Sequence, residues 1–176
     1  FSGASFTLDG KGFFYSRYDE PNEETKMVGA NYYQKLYFHK LGTPQSQDIL
    51  TYERKDHKDW GFGGGVTEDG RYLVVNVSEG TDPKNRVFYK DLQANDAKVV
   101  ELLNAFDASY NFIGNDGPVF WFQTDRDAPR GRVIAIDTGM PARDKWKEII
   151  PQSAETLLGV GVLNDMFVAT YLKDAK

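Results

Sequence analysis

The sequence predicts an all-β protein, a partial β-propeller of about three and a half four-stranded antiparallel blades. Three observations predict this fold class. A unit recurs along the 176 residues at a spacing of roughly 40 to 50 residues, which is typical of propeller blades. Each copy passes a turn of Asp, Asn or Gly and enters a strand rich in aromatic and β-branched residues. No apolar period of 3.6 residues continues beyond about two helical turns, which disfavours a helical or leucine-rich solenoid.

The repeat divides one predicted domain, residues 1–176, into four blades. They span about residues 1–55, 56–105 and 106–152, with an incomplete fourth blade at 153–176. In each blade the opening strand is followed by a hairpin turn, because Gly, Asn and Asp tolerate the positive φ that tight turns require. The four turns are Asp9-Gly10, Asp69-Gly70, Asp116-Gly117 and Asn164-Asp165.

The later strands of the blades repeat as well. The second strands lie at 12–15, 72–75, 119–122 and 166–169, and the third at 35–40, 86–91 and 132–137. The outer strands lie at 48–52, 98–102 and 147–150. A polar insert at 19–31 lengthens the first blade.

Glycines are concentrated in the opening strands of the second and fourth blades. They are Gly61, Gly63, Gly64, Gly65, Gly159 and Gly161. Central strands ordinarily avoid glycine. We expect these positions to face a central channel in which bulky side chains would collide.

The two ends of the chain suggest a piece of a longer protein. It opens on Phe1 without an initiator Met and stops just past the second strand of the fourth blade. Closed propellers need roughly four to eight blades. We therefore expect exposed blade edges and blade faces, and a homodimer or larger assembly formed through them.

The composition of the chain limits the classes of partner that it is expected to bind. The 21 Lys and Arg residues against 26 Asp and Glu residues leave a net charge of -5, which favours neither nucleic acid nor an anionic membrane. No apolar stretch approaches the roughly 20 residues of a membrane span. The chain has no cysteine, which leaves the compartment open between cytoplasm and periplasm.

No catalytic, cofactor or metal site is predicted. Ser5 lies before a hairpin turn in a segment that does not complete Gly-x-Ser-x-Gly. His39 is expected to be a packed or edge strand residue and His57 a solvated loop residue. The two histidines lack the spacing of a zinc helix, and the glycines from Gly61 lead into a strand, not into a phosphate-binding helix.

The loop at 79–86 leaves two interpretations open. It contains turn-forming residues and charges of both signs between two strands of one blade. It is either a hairpin loop stabilised by Asx-type hydrogen bonds or a segment that borders a partner domain or a substrate.

Four segments make the chain resemble the prolyl oligopeptidase family. They are QKLYFHKLGT at 34–43, DIL at 48–50, DGRY at 69–72 and EGTDPKNR at 79–86. The first two are shared with the related oligopeptidase B group, and the last favours the prolyl branch. The resemblance implies a seven-bladed parent propeller that caps an α/β-hydrolase domain, with the Ser, Asp and His of the catalytic triad in that domain.

The resemblance also implies a substrate role for the propeller. It would gate access for short peptides and form one wall of the pocket distal to the proline site, with Phe1, Gly61 and Thr81 as wall residues. Relatives have Met at the position of Gly61 and Cys at that of Thr81, so two of the three depart from the pattern. The leading hypothesis is a non-catalytic fragment of a serine endopeptidase that cleaves after proline. The alternative is a self-standing propeller module that binds a ligand or partner without peptidase activity.

Overall fold

The computed structural model describes residues 3–18 and 31–173. Within these residues strands dominate, and the helices are two short 3-10 turns, at Gln45–Gln47 and Arg143–Lys145. The strands are β1 Ala4–Phe6, β2 Gly12–Arg17, β3 Lys35–Lys40, β4 Ile49–Tyr52, β5 Trp60–Val66, β6 Tyr72–Glu79, β7 Arg86–Asp91, β8 Val100–Leu103, β9 Tyr110–Asp116, β10 Val119–Thr124, β11 Arg132–Asp137, β12 Lys147–Ile150, β13 Thr156–Leu163 and β14 Met166–Leu172. No helix of the described part of the chain is long and apolar enough to cross a bilayer.

The strands form sheets in which chain neighbours are also sheet neighbours. Three sheets have four strands, in the orders β1-β2-β3-β4, β5-β6-β7-β8 and β9-β10-β11-β12, and a fourth pairs β13 with β14. The assigned pairs are antiparallel. The predicted all-β class with successive four-stranded blades is therefore confirmed.

The chain divides into two compact units. One comprises Phe1–Asp82 with Val87–Asn104, and the other Pro83–Arg86 with Ala105–Lys176. Whether residues 1–176 form a single domain stays a prediction.

The first unit contains the sheets β1–β4 and β5–β8. Alternate residues of β2 are buried, as expected when a strand has one face against the core. In β6 the buried run is almost continuous, because both faces of this strand are covered. The largest fully buried side chains here are Trp60, Phe88, Leu36, Leu73, Val75, Val77 and Val87.

The second unit contains the sheets β9–β12 and β13–β14. Its core is aromatic on β10 and aliphatic on β11, and Phe112 contacts Phe120 and Phe122 edge to face at 5.4 and 5.7 Å. The buried apolar residues are Ala108, Tyr110, Phe120, Phe122, Ala128, Val133, Ile134, Ala135, Ile136 and Leu157.

The hairpin turns form as their sequence predicts. In the second sheet the Thr67 hydroxyl donates to Asp69 at 2.5 Å, and the Arg71 N–H donates to the same carboxylate oxygen at 3.0 Å. Gly70 takes the positive φ of 70° that closes the turn. The first sheet repeats these bonds from Thr7 and Lys11 to Asp9. Such Asx hydrogen bonds stabilise the turn without another strand.

The predicted channel glycines differ in their surroundings. A Cβ at Gly64 would meet Leu36 and Leu73 Cδ1 atoms at 3.1 and 3.2 Å, so that position is crowded. A Cβ at Gly63, Gly65, Gly159 or Gly161 would meet nothing within 4 Å among the described residues. Whether these glycines face a central channel stays a prediction.

Candidate functional site

A cleft of about 420 Å³ lies in the first unit, where the first hairpin faces the start of β5. It exists because β5 begins with a glycine-rich run whose members bring no side chain to fill it. The residues that line it are Gly3, Ala4, Ser16, Tyr18, Gln34, Gly61, Phe62, Gly63, Gly64, Asn76 and Ser78.

Gly61 lies in the cleft beside two polar side chains. It pairs with Ser78 across the β5–β6 ladder. A Cβ at position 61 would lie 3.0 Å from Ser78 Oγ and 3.5 Å from Gln34 Oε1. The missing side chain therefore leaves a hydroxyl and an amide oxygen uncovered beside the backbone.

The edge of β5 that faces away from β6 makes hydrogen bonds with side chains from the first hairpin and from the segment before β3. The Phe62 N–H donates to Gln34 Oε1 at 2.5 Å, and the Val66 N–H donates to Ser5 Oγ at 2.8 Å. The buried Ser16 hydroxyl donates to the Phe62 carbonyl. These bonds hold the start of β5, and with it Gly61, at a defined position.

Of the three residues predicted for the distal pocket, the structure describes Gly61 and Thr81. Gly61 lines the cleft. Thr81 is exposed in the turn after β6, where the Asp82 N–H donates to the Glu79 carbonyl at 3.2 Å, and it does not line the cleft. Phe1 lies outside the described residues. Gln34 and Ser78 were not predicted.

Asn85 anchors the end of the loop at 79–86 within the second unit. It is 8% exposed. Its Oδ1 accepts from the Tyr110 N–H at 2.7 Å, and its Nδ2 donates to the Tyr110 carbonyl at 2.9 Å. The side chain thus bonds both backbone groups of one residue, as a paired strand would. The loop has a clear structural anchor, whereas a role at a border with a partner or substrate stays a prediction.

Asp107 is the centre of a charged cluster in the second unit. One carboxylate oxygen accepts from the Tyr110 hydroxyl at 2.9 Å, and the other from Arg126 Nη1 at 2.9 Å and from Arg143. Partial burial works to raise the pKa of Asp107, but the bonds from Tyr110 and Arg143 and the two positive charges hold it below its usual value. Burial and the bond to Asp107 raise the pKa of Tyr110. Asp127, which pairs with Arg126 at 3.2 Å, supplies the second negative charge that balances the two arginines.

The two histidines have structural partners. His39 Nδ1 lies 2.7 Å from Asp48 Oδ1, and the Tyr15 hydroxyl donates to the other oxygen of this fully buried carboxylate. His39 is thus a packed strand residue, as predicted. The prediction of a solvated His57 is correct in part, because its side chain is 36% exposed while one face of its ring stacks on Trp60 at 3.8 Å. Among the described residues no group of three or more His, Asp or Glu could hold a metal.

Comparisons of the sequence and the structure with known proteins agree on one family. A sequence model of the "Prolyl oligopeptidase, N-terminal beta-propeller domain" matches residues 1–176. The prolyl endopeptidase of Elizabethkingia meningoseptica is 38% identical over 175 residues, covering 99% of this chain and 24% of that protein. Prolyl oligopeptidase A of Amanita bisporigera is 38% identical over 169 residues, covering 90% and 22%.

Solved structures agree with the sequence matches. One from a study of two prolyl endopeptidases has a TM-score of 0.86 at 31% identity, covering 100% of this chain and 25% of that one. Prolyl oligopeptidase B from Galerina marginata, bound to a 25mer macrocyclization substrate, has a TM-score of 0.88 at 29% identity, covering 98% and 24%. The chain therefore spans about a quarter of the length of the relatives that it matches.

Proposed function

The chain belongs to the prolyl oligopeptidase N-terminal β-propeller family, and on this basis we propose that it is the non-catalytic propeller part of a serine endopeptidase that cleaves short peptides after proline. The relatives named prolyl endopeptidase and prolyl oligopeptidase support the activity of the whole protein. The chain matches about a quarter of their length, which leaves room for a catalytic domain in the remainder.

The surroundings of the two histidines support the non-catalytic part of the proposal. A serine triad needs a histidine whose free ring nitrogen reaches a serine hydroxyl. His39 Nδ1 bonds to buried Asp48, as a triad histidine bonds to its Asp. Within residues 3–18 and 31–173, however, no serine hydroxyl bonds to the ring of His39, which packs on Phe13 at 4.9 Å, or to the ring of His57, which stacks on Trp60. The α/β-hydrolase domain and the remaining blades are then the partners that complete the enzyme.

The cleft beside Gly61 carries the substrate part of the proposal. In this role the propeller gates access to the catalytic domain and contributes one wall of the pocket distal to the proline site. Gly61, Thr81 and Phe1 are the proposed wall residues, and of these Gly61 is supported by an open cleft with a defined backbone position.

The experiment compares the full-length protein with the isolated chain on a proline-linked fluorogenic peptide. We expect hydrolysis after proline by the full-length protein, sensitive to a serine-directed reagent, and none by residues 1–176. Hydrolysis by the isolated chain that the same reagent abolishes would contradict the proposal. So would a full-length protein that is folded but leaves every proline peptide intact.

The second candidate is a self-standing module that associates through the β13–β14 sheet. Its apolar side chains are well exposed, with Met166 at 62%, Val168 at 53% and Leu158 at 55%. Exposed apolar faces of this kind drive association, so this candidate predicts a homodimer of the chain. Light scattering that gives a monomer at micromolar concentration would contradict it.

A further inference from the structure

Two side chains of the Gly61 cleft have polar atoms without a hydrogen-bond partner among the described residues. Gln34 uses Oε1 to accept the Phe62 N–H, so its Nε2 group retains two N–H donors. The Ser78 hydroxyl makes no hydrogen bond within residues 3–18 and 31–173, and both side chains are only partly buried. Water or a ligand can therefore bond to both.

The described lining of the cleft is polar and uncharged. No Asp, Glu, Lys, Arg or His is among the described residues that line it. An ionised ligand group would lose hydration without gaining a counter-ion there. An aliphatic group would displace water from Ser78 and Gln34 and leave their donors unpaired, which is also unfavourable. An uncharged group that both donates and accepts hydrogen bonds fits both requirements.

Resting on the proposed function above, we propose that the Gly61 cleft binds an uncharged polar side chain of the peptide substrate, an amide or a hydroxyl. Gly61 is the residue that determines this specificity. Any Cβ at this position lies 3.0 Å from Ser78 Oγ, so a longer apolar side chain would cover the hydroxyl and make the wall apolar.

The test uses full-length protein and pairs of proline-linked peptides that differ by Asn or Leu at one position on the amino side of the proline. These two side chains have nearly the same shape, so the ratio of kcat/KM isolates the polar contribution. At one position we expect the Asn peptide to be preferred about fivefold, the effect of one or two neutral hydrogen bonds. Ser78→Ala is expected to reduce this preference about threefold.

Two further variants make the test specific. Gly61→Met is expected to reverse the preference in favour of Leu, because its side chain covers Ser78. The matched control is Gly65→Ala, in the same strand but outside the cleft, where a Cβ meets nothing within 4 Å. It is expected to keep the Asn preference. Ser78→Ala removes one oxygen only, so it gives an answer even where Gly61→Met does not fold.

The outcomes separate the inference from the proposed function. Cleavage after proline with equal rates for Asn and Leu at every position overturns the polar pocket while the peptidase assignment stands. A preference for Asn that Ser78→Ala leaves unchanged overturns the assignment of that preference to this cleft. Folded protein that cleaves neither peptide overturns both.

Discussion

Replacing Gly12 by alanine tests the packing of the first sheet. Gly12 is buried at the start of β2 and pairs with Lys40 of β3. The ring of Phe38 lies across it, as aromatic side chains do over glycines in sheets. An added Cβ would lie 2.6 Å from Phe38 Cε2 and would also clash with the His39 carbonyl oxygen. The ring could rotate away, but the carbonyl belongs to the paired strand and cannot.

Overpacking of this kind costs about 3 kcal/mol, at the upper end of the usual range, because backbone must move. For a chain of this size, 1 kcal/mol shifts the melting temperature by about 2 to 4 °C. We therefore expect Gly12→Ala to lower the melting temperature by roughly 6 to 12 °C in thermal unfolding followed by circular dichroism.

The control is again Gly65→Ala, a strand glycine with open space beside it. Alanine there restricts the unfolded chain and is expected to be neutral or stabilising by up to about 1 kcal/mol. Melting temperatures of the two variants within about 2 °C of each other would refute the steric reasoning.

Three further predictions concern hydrogen bonds. Asn85→Ala leaves the N–H and carbonyl of Tyr110 unpaired, so we expect a loss of about 2 kcal/mol in urea unfolding; an unchanged urea midpoint would contradict the anchor. Asp107→Asn is expected to cost about 2 kcal/mol at pH 6. The pKa of Asp107 is lowered in the folded state, so its contribution to the free energy of unfolding is fully present above the unfolded pKa of about 3.9 and is lost as the pH falls below it. Unfolding titrations should therefore show the stabilities of the original protein and the Asp107→Asn variant converging towards acid pH. The hydrogen bond from Thr7, followed by that from the Lys11 N–H, lowers the pKa of Asp9 to about 2; an NMR titration should show this value, and Thr7→Val should move it towards the usual one.

The blades were predictable because their signals are local. Turn residues and strand residues lie within a few positions of each other, and the Asp69-Gly70 turn sets the register of the whole hairpin. Gly61 and Ser78 each lie eight residues from that turn, and they are paired in the sheet. The neighbour of Gly61 across the ladder could therefore have been read from the sequence.

The rest of the site depends on how separate hairpins pack. Gln34 and Phe62 are 28 residues apart, and Asn85 and Tyr110 are 25 apart, with no shared turn to relate them. An amide beside a strand looks the same in sequence whether it bonds to water or to another backbone. His57 shows the same limit, since a charged loop gives no sign that its ring will stack on Trp60.

The side-chain bonds along β5 have a consequence for how this protein avoids unwanted pairing. An exposed strand edge invites a strand from another molecule to add to the sheet. Here Gln34, Ser16 and Ser5 already occupy outward-facing backbone groups of Phe62 and Val66. An incoming strand would have to displace these bonds before it could pair with Phe62 or Val66. The sheets β1–β4 and β5–β8 are thus joined at β5 by a few side-chain hydrogen bonds and not by a continuous backbone ladder.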